Sequence, residues 1–145
     1  MVRWVLVHLF GIHHVRCGCL GEYGASRVRL PYAFTCHIIE LTCRFHGAAL
    51  EQSIYGGKFN DEKIGLKNKP IRGSLAMANS GKNTNSSQFF VVLTEDAAQL
   101  AKLAGKYVVF GTLVEGWDVL GRLNAVGGLD GKPEVPVWIG GCGKL

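Results

Sequence analysis

Lysine, asparagine and aspartate are absent from the first 56 residues of this 145-residue chain, although nine lysines follow. The same early stretch holds all five histidines and four of the five cysteines, every one before residue 47, where the only acids are Glu22 and Glu40. Ordinary domains do not partition residue types in this way. Residues 1–52 therefore read as a segment apart from residues 53–145, the two together making one domain's length of chain. A bilayer-spanning run is also missing, because no stretch is both long and apolar enough, and no membrane partner is expected. Arg3 precedes an apolar run within residues 1–12, but His8 interrupts it and no small-residue cleavage site follows. A first strand is favoured over a secretory signal. Without a convincing signal the cysteines are expected as free thiols in a reducing compartment, which points to the cytoplasm, with secretion as the alternative.

Paired metal knuckles are missing too. His13, His14, Cys17 and Cys19 lie close together, and Cys36, His37, Cys43 and His46 are available to complete a site, yet C-x-C with a distant C-H does not reproduce the usual C-x₂-C spacing. No metal and no cofactor is expected. Cys142 is read as a small buried hydrophobe. Acids are outnumbered: the net charge is +5 and the isoelectric point about 9.1, with Lys58, Lys63, Lys67, Lys69 and Arg72 grouped in sequence. Asp61 and Glu62 interrupt that group and no aromatic platform accompanies it, so it reads as a solvated basic face and no nucleic-acid partner is expected.

Against these absences one stretch is dense in information, Leu75 to Leu93, reading L-A-M-A-N-S-G-K-N-T-N-S-S-Q-F-F-V-V-L. Leu75, Met77 and Asn79 fall on one face of a strand-like run and Ala76, Ala78 and Ser80 on the other. Residues 81–87 are nearly all loop formers, and their asparagine and serine side chains can bond their own backbone, which predicts a rigid loop. The second run sets Gln88 and Phe90 on one face and Phe89 on the other, a polar reader beside an apolar wall. Further strands are expected at 2–10, where residues are apolar on both faces, and at 37–43, where Ile38, Ile39 and Thr42 are β-branched. Thr94 as N-cap and Gly105 as stop predict a helix over 95–104. A strand over 107–114, an amphipathic helix over 116–124 with Val119, Leu120 and Leu123 inward, and a closing strand over 135–139 complete the reading.

Met77-Ala78-Asn79-Ser80-Gly81, Asn83-Thr84-Asn85 and Ser87-Gln88-Phe89-Phe90 resemble the signature of the cyclophilins, the cyclosporin-binding peptidyl-prolyl isomerases. The resemblance extends upstream through Ser53-Ile54-Tyr55-Gly56, Lys58-Phe59 and Asp61-Glu62, and downstream through Gly105-Lys106-Tyr107-Val108-Val109-Phe110-Gly111 to Cys142-Gly143-Lys144-Leu145. It covers residues 53–145. The family's F-H-R and Q-G-G-D segments have no counterpart, so residues 1–52 are diverged or incomplete. The fold implied is all-β, a closed antiparallel eight-stranded barrel with short helices.

The resemblance also implies an enzyme, a peptidyl-prolyl cis-trans isomerase that assists protein folding, with proline-containing peptides as partners, and a monomer is expected. The uncatalysed barrier to rotating the bond is about 18–20 kcal/mol and arises from amide resonance, so a dry pocket and well-aimed donors suffice and no nucleophile is needed. By the family's pattern Asn79 and Gln88 serve the catalytic site, Asn79 through its backbone. Phe90 and Leu103 wall the proline pocket, Ala78 and Ser80 line the adjacent side pocket, and Tyr107, in place of the usual histidine, covers the edge. Lys102 replaces an aromatic residue that contacts cyclosporin, which implies weakened binding of that ligand. The family's arginine, three residues before a proline, falls here on Val28 before Pro31, between Arg27 and Arg29; Arg29 is the candidate substitute. Two functions stay open, an isomerase with impaired catalysis and a proline-peptide binding module that has lost it. A metal-binding N-terminal module is the third reading.

Overall fold

The computed structural model describes residue 53 and residues 55–127, together with the backbone of residues 7–9, 34–35 and 38–42. The histidine–cysteine group, Arg27, Arg29, Cys142 and the expected strand at 135–139 lie outside the described residues.

Six strands form one sheet, every neighbouring pair antiparallel: β1 (Val7–Leu9), β2 (Phe34–Thr35), β3 (Ile38–Thr42), β4 (Ser74–Met77), β5 (Gln88–Val92) and β6 (Val109–Leu113), in the order β1-β6-β4-β5-β3-β2. Among the described residues no pairing joins β1 to β2. Three short helices accompany the sheet, α1 (Lys63–Lys67), α2 (Ala97–Leu103) and α3 (Trp117–Ala125), and none of them is long and apolar enough to cross a membrane.

The alternation read from the sequence decides the two faces of β4 and β5. Leu75 and Met77 pack with Val108 and Phe110 on one side, joined by Phe89, Phe59 and Leu66. Ala76 and Phe90 pack with Val92 and Val109 on the other. The β5 face of Phe90 and Val92 is buried and that of Phe89 and Val91 half-buried, so apart from Ser74 and Gln88 the two strands are apolar rather than alternating with polar residues. Between β4 and β6 the register slips: Leu75 faces Gly111 but Ala76 faces Val109, which leaves Phe110 as the extra residue of a β-bulge. A bulge disrupts the ladder locally. The Val109 carbonyl there accepts a 3.1 Å hydrogen bond from Asn68 Nδ2, which ties the end of α1 to β6. On α3, Val119 and Leu120 are buried as expected, and Leu123 packs against the cluster of Leu93, Leu113 and Leu120.

Two expectations change. α2 begins at Ala97 with Asp96 as its N-cap, whose carboxylate accepts from Gln99 N at 2.8 Å. Thr94 Oγ1 accepts instead from Asp96 N, a local turn that delivers the aspartate to the cap position. α1 was not anticipated. Its sequence, K-I-G-L-K, has a glycine and no apolar periodicity, and among the described residues Leu66 is the side chain that packs it against the core.

Gly73 is the tightest backbone position. It takes φ +81°, its N–H donates to the Val92 carbonyl and its own carbonyl accepts from Leu113 N, so it is held between β5 and β6. A Cβ there would lie 2.6 Å from Cη2 of Trp117. Trp117 is 45% exposed and can swing outward, but the left-handed backbone has no such relief. Gly73→Ala is expected to cost about 1–3 kcal/mol in urea unfolding. Adding Trp117→Ala recovers only the steric share, and an unchanged midpoint in the single variant would contradict this account.

Candidate active site

The end of β4, the start of β5 and the end of α2 converge through a small set of bonds. Ala78 N donates to the Gln88 carbonyl at 3.0 Å, which continues the β4–β5 ladder one residue past the strand. Asn79 then leaves the sheet and uses its side chain twice. Its Nδ2 donates to the Lys106 carbonyl at 3.0 Å, and its Oδ1 accepts from Gly81 N at 3.2 Å. The first of these bonds links the β4 end to the residue before Tyr107. Gly105, at φ +71°, supplies the left-handed step that turns the chain out of α2, and Lys106 N donates to Leu103 O.

These constraints bring four of the expected site residues onto one apolar cluster, since Ala78, Leu103 and Tyr107 all pack against the group that contains Phe90, with Leu100 beside them. The Tyr107 ring stands edge-on to Phe90 with centroids 5.1 Å apart and planes at 89°, an arrangement favoured by the ring quadrupoles. Phe90 is only 2% exposed, so in this conformation the face it offers is closed. Gln88 lies on the same strand face two residues earlier and is half-buried, while Asn79 is half-buried and Ser80 exposed. Lys102 projects from α2 beside Leu103, exposed, its Nζ 3.3 Å from Gln99 Oε1. Arg29, the candidate donor, lies outside the described residues. Among the described residues no group of three or more His, Cys, Asp or Glu side chains is arranged to hold a metal.

The loop between the two strands is held from inside and outside. Thr84 Oγ1 accepts from Ser80 N and donates to the Gly81 carbonyl. Asn83 adopts φ 60°, and its Oδ1 accepts from Asp61 N while its own N–H donates to Asp61 Oδ2. Asn85 Nδ2 donates to Asp61 Oδ1 at 2.9 Å, and Phe59 N donates to the Asn85 carbonyl. Four hydrogen bonds thus staple residues 59–61 to 83–85. The asparagine-rich loop predicted from sequence is there, but its partner segment is not evident from sequence, where Asp61 reads as a break in the lysine group and as part of the upstream resemblance, not as the loop's partner.

A model of the cyclophilin type peptidyl-prolyl cis-trans isomerase family matches residues 42–144. Among solved structures, a cyclophilin type peptidyl-prolyl cis-trans isomerase of Cryptosporidium parvum is 29% identical, with a TM-score of 0.66 over 81% of this chain and 72% of that one. A structure of that isomerase determined in the presence of the dipeptide Ala-Pro matches with 28% identity, a TM-score of 0.66, and 81% and 73% of the two chains. The family match and these structural neighbours define a cyclophilin-type domain, here an antiparallel sheet with short helices. This chain belongs to the cyclophilin type peptidyl-prolyl cis-trans isomerase family. The family match begins at Thr42, within β3, earlier than the resemblance read from residue 53. β3 pairs along the whole of β5, from Ile38 opposite Val92 to Thr42 opposite Gln88.

Asn85 is fully buried, and its Oδ1 has no hydrogen-bond partner among the described residues. The staple therefore already holds one acceptor in excess. Asn85→Asp would replace the donor to Asp61 by a second carboxylate, at an expected cost of about 3–5 kcal/mol near neutral pH. Burial and the facing charge raise the new carboxyl's pKa in the folded state only, so the folded form binds the extra proton and the deficit shrinks as pH falls. Urea titrations across pH check this, and a deficit independent of pH would refute the facing-carboxylate account.

Proposed function

We propose that this chain is a peptidyl-prolyl cis-trans isomerase of the cyclophilin type, acting on proline-containing segments of folding proteins with weakened catalysis. The observation that carries the reading is the convergence of Ala78, Phe90, Leu103 and Tyr107 on one apolar cluster flanked by Asn79 and Gln88, in a chain that belongs to this family. In this reading the proline ring docks against Phe90 and Leu103 once Tyr107 yields. The Asn79 backbone meets the residue before proline, Ala78 and Ser80 border the side pocket, and Gln88 holds the twisted carbonyl or orients its neighbour. Excluding water from the ring strengthens every dipole aimed at the carbonyl. In this reading the sheet closes into the family's eight-stranded barrel, and residues 1–52 are a diverged segment of the one domain whose family-like part is 53–145. The protein is taken to be a cytoplasmic monomer.

The family's arginine has no counterpart in register. Losing one well-placed donor costs about 10²–10³ in rate, or roughly 2.7–4 kcal/mol. A protease-coupled proline-peptide assay is expected to read weak activity that Phe90→Ala abolishes and Arg27→Ala leaves unchanged. Arg29→Ala lowers turnover if Arg29 has taken the donor's place. Binding of the peptide without rate enhancement identifies a proline-peptide binding module instead, and robust activity surviving both arginine substitutions overturns the assignment of the donor.

Cyclosporin binding follows from the same site. A mobile ammonium at Lys102 offers less apolar contact than the flat ring it replaces. The parent chain is expected to bind cyclosporin weakly and Lys102→Trp to tighten it by about tenfold, which corresponds to 1.4 kcal/mol. Equal affinities in a calorimetric titration would sink the idea.

A further inference from the structure

At the start of β4, the end opposite Ala78 and Asn79, lies a surface that the isomerase reading does not use. Ile64 is 71% exposed and Ile71 58%, two large aliphatic side chains open to solvent close together in sequence. Lys63, Lys67 and Lys69 stand beside them, all exposed. None of the three has an ion-pair partner among the described residues, where the surface pairs are Arg72–Glu95 and Arg122–Asp118. The nearest acid in sequence, Glu62, has its Oε1 buried, so that oxygen is turned away from solvent.

These groups follow one another along the chain from α1 to the start of β4. Lys63 and Lys67 are four residues apart on α1, and Ile64 and Lys67 three, which makes them surface neighbours. Past the helix, the chain borders an open cavity of about 200 Å³ lined by Asn68, Lys69, Ile71, Ser74, Val109 and Thr112. Two of its polar groups are already committed, Asn68 Nδ2 to the Val109 carbonyl and Ser74 Oγ to Ile71 N. What the cavity still offers is apolar wall, with an ammonium at its rim.

We propose that this face docks an acidic segment of a partner protein, with an aliphatic side chain entering the cavity and carboxylates meeting Lys63, Lys67 and Lys69. Charge complementarity selects the occupant. Two copies of this chain meeting through the same patch would oppose lysine to lysine. Single-stranded nucleic acid calls for aromatic stacking partners, and the exposed apolar residues here are isoleucines. A five-residue helix is too short to lie in a membrane interface, and a recessed cavity does not meet a flat surface. The lysine group read from sequence as a solvated face thus gains an apolar component that only the fold reveals.

The test is fluorescence anisotropy on the full chain with a labelled peptide of alternating glutamate and leucine. Peptides with glutamine for glutamate, or serine for leucine, serve as controls. Saturable binding of the first peptide alone is expected, weakening about tenfold from low to high salt as the charges are screened. Ile64→Ser and Lys67→Glu are each expected to weaken it by at least about fivefold. The far-ultraviolet circular dichroism of both variants should stay unchanged, and an excess of a proline-containing peptide should leave binding of the acidic peptide intact, which separates this site from the isomerase pocket. Failure to bind, equal binding of the glutamine peptide, indifference to Ile64→Ser, capture by anionic vesicles in place of the peptide, or self-association abolished by Ile64→Ser would each overturn the proposal.

Discussion

Everything described here depends on β5 being a central strand with one fully buried face. Gln88 to Val92 pair on one edge with β3 and on the other with β4, which satisfies the backbone on both sides, while Phe90 and Val92 are buried on one face and Phe89 and Val91 half-buried on the other. Phe90 and Val92 go to one face and Phe89 to the other, where its ring meets Phe110 edge-on at 6.1 Å. A one-residue slip would exchange the two faces and set Phe89 in the place of Phe90. The register is therefore strongly specified by packing, and the position of Phe90 follows from it. Burying side chains of this size contributes about 1.5–3 kcal/mol each, which is enough for the core to dictate where the polar loop ends begin.

The polar segments then act as struts between elements the core has already positioned. Asn79 joins the end of β4 to Lys106, and Asp61 joins the loop before α1 to Asn83 and Asn85. Such bonds have modest net worth, about 0.5–1.5 kcal/mol each, but a buried partner left unmade costs more. Isomerisation of a prolyl bond needs this kind of fixed surround more than it needs reactive groups, because the work lies in holding a twisted amide rather than in breaking a bond. Among the described residues no side chain needs activation for the proposed chemistry.

The elements legible in sequence are those whose signal is local. Leu75–Met77 and Gln88–Val92 show period-two alternation between apolar faces, and 117–125 shows the helical spacing of Val119, Leu120 and Leu123; all three form where expected. The Asp61 staple was not legible, because its partners lie more than twenty residues away and neither segment announces the other. α1 escaped because five residues with a central glycine carry almost no propensity and form only where Leu66 finds the core. The cap of α2 moved from Thr94 to Asp96 since both are good caps, and only the turn closed by Thr94 decides between them. The site residues Ala78, Phe90, Leu103 and Tyr107 were named from a family pattern, and what the fold adds is that they share one cluster.

What the pattern did not carry is the closed state of that cluster. With Phe90 2% exposed and the Tyr107 ring 5.1 Å away, a proline ring cannot reach Phe90 without displacing something. An apparent affinity falls by the fraction of molecules that are open, so a closed state favoured by about 1.4 kcal/mol weakens binding tenfold. Tyr107 is half-buried and follows the exposed Gly105 and Lys106, which leaves its backbone free of the sheet until Val108. The anchor on that segment is the bond from Asn79 to the Lys106 carbonyl. In the proposed reading, then, Asn79 has two parts that pull against each other: its backbone presents substrate, and its side chain holds the segment whose tyrosine closes the pocket. Opening by rotation of the ring alone preserves the Asn79 bond and costs the edge-on contact, about 0.5–1.5 kcal/mol, together with the apolar area the ring covers. Opening by movement of the whole segment would also lose that hydrogen bond. The ring rotation is the cheaper path, and it keeps the backbone of Asn79 in position while the proline enters.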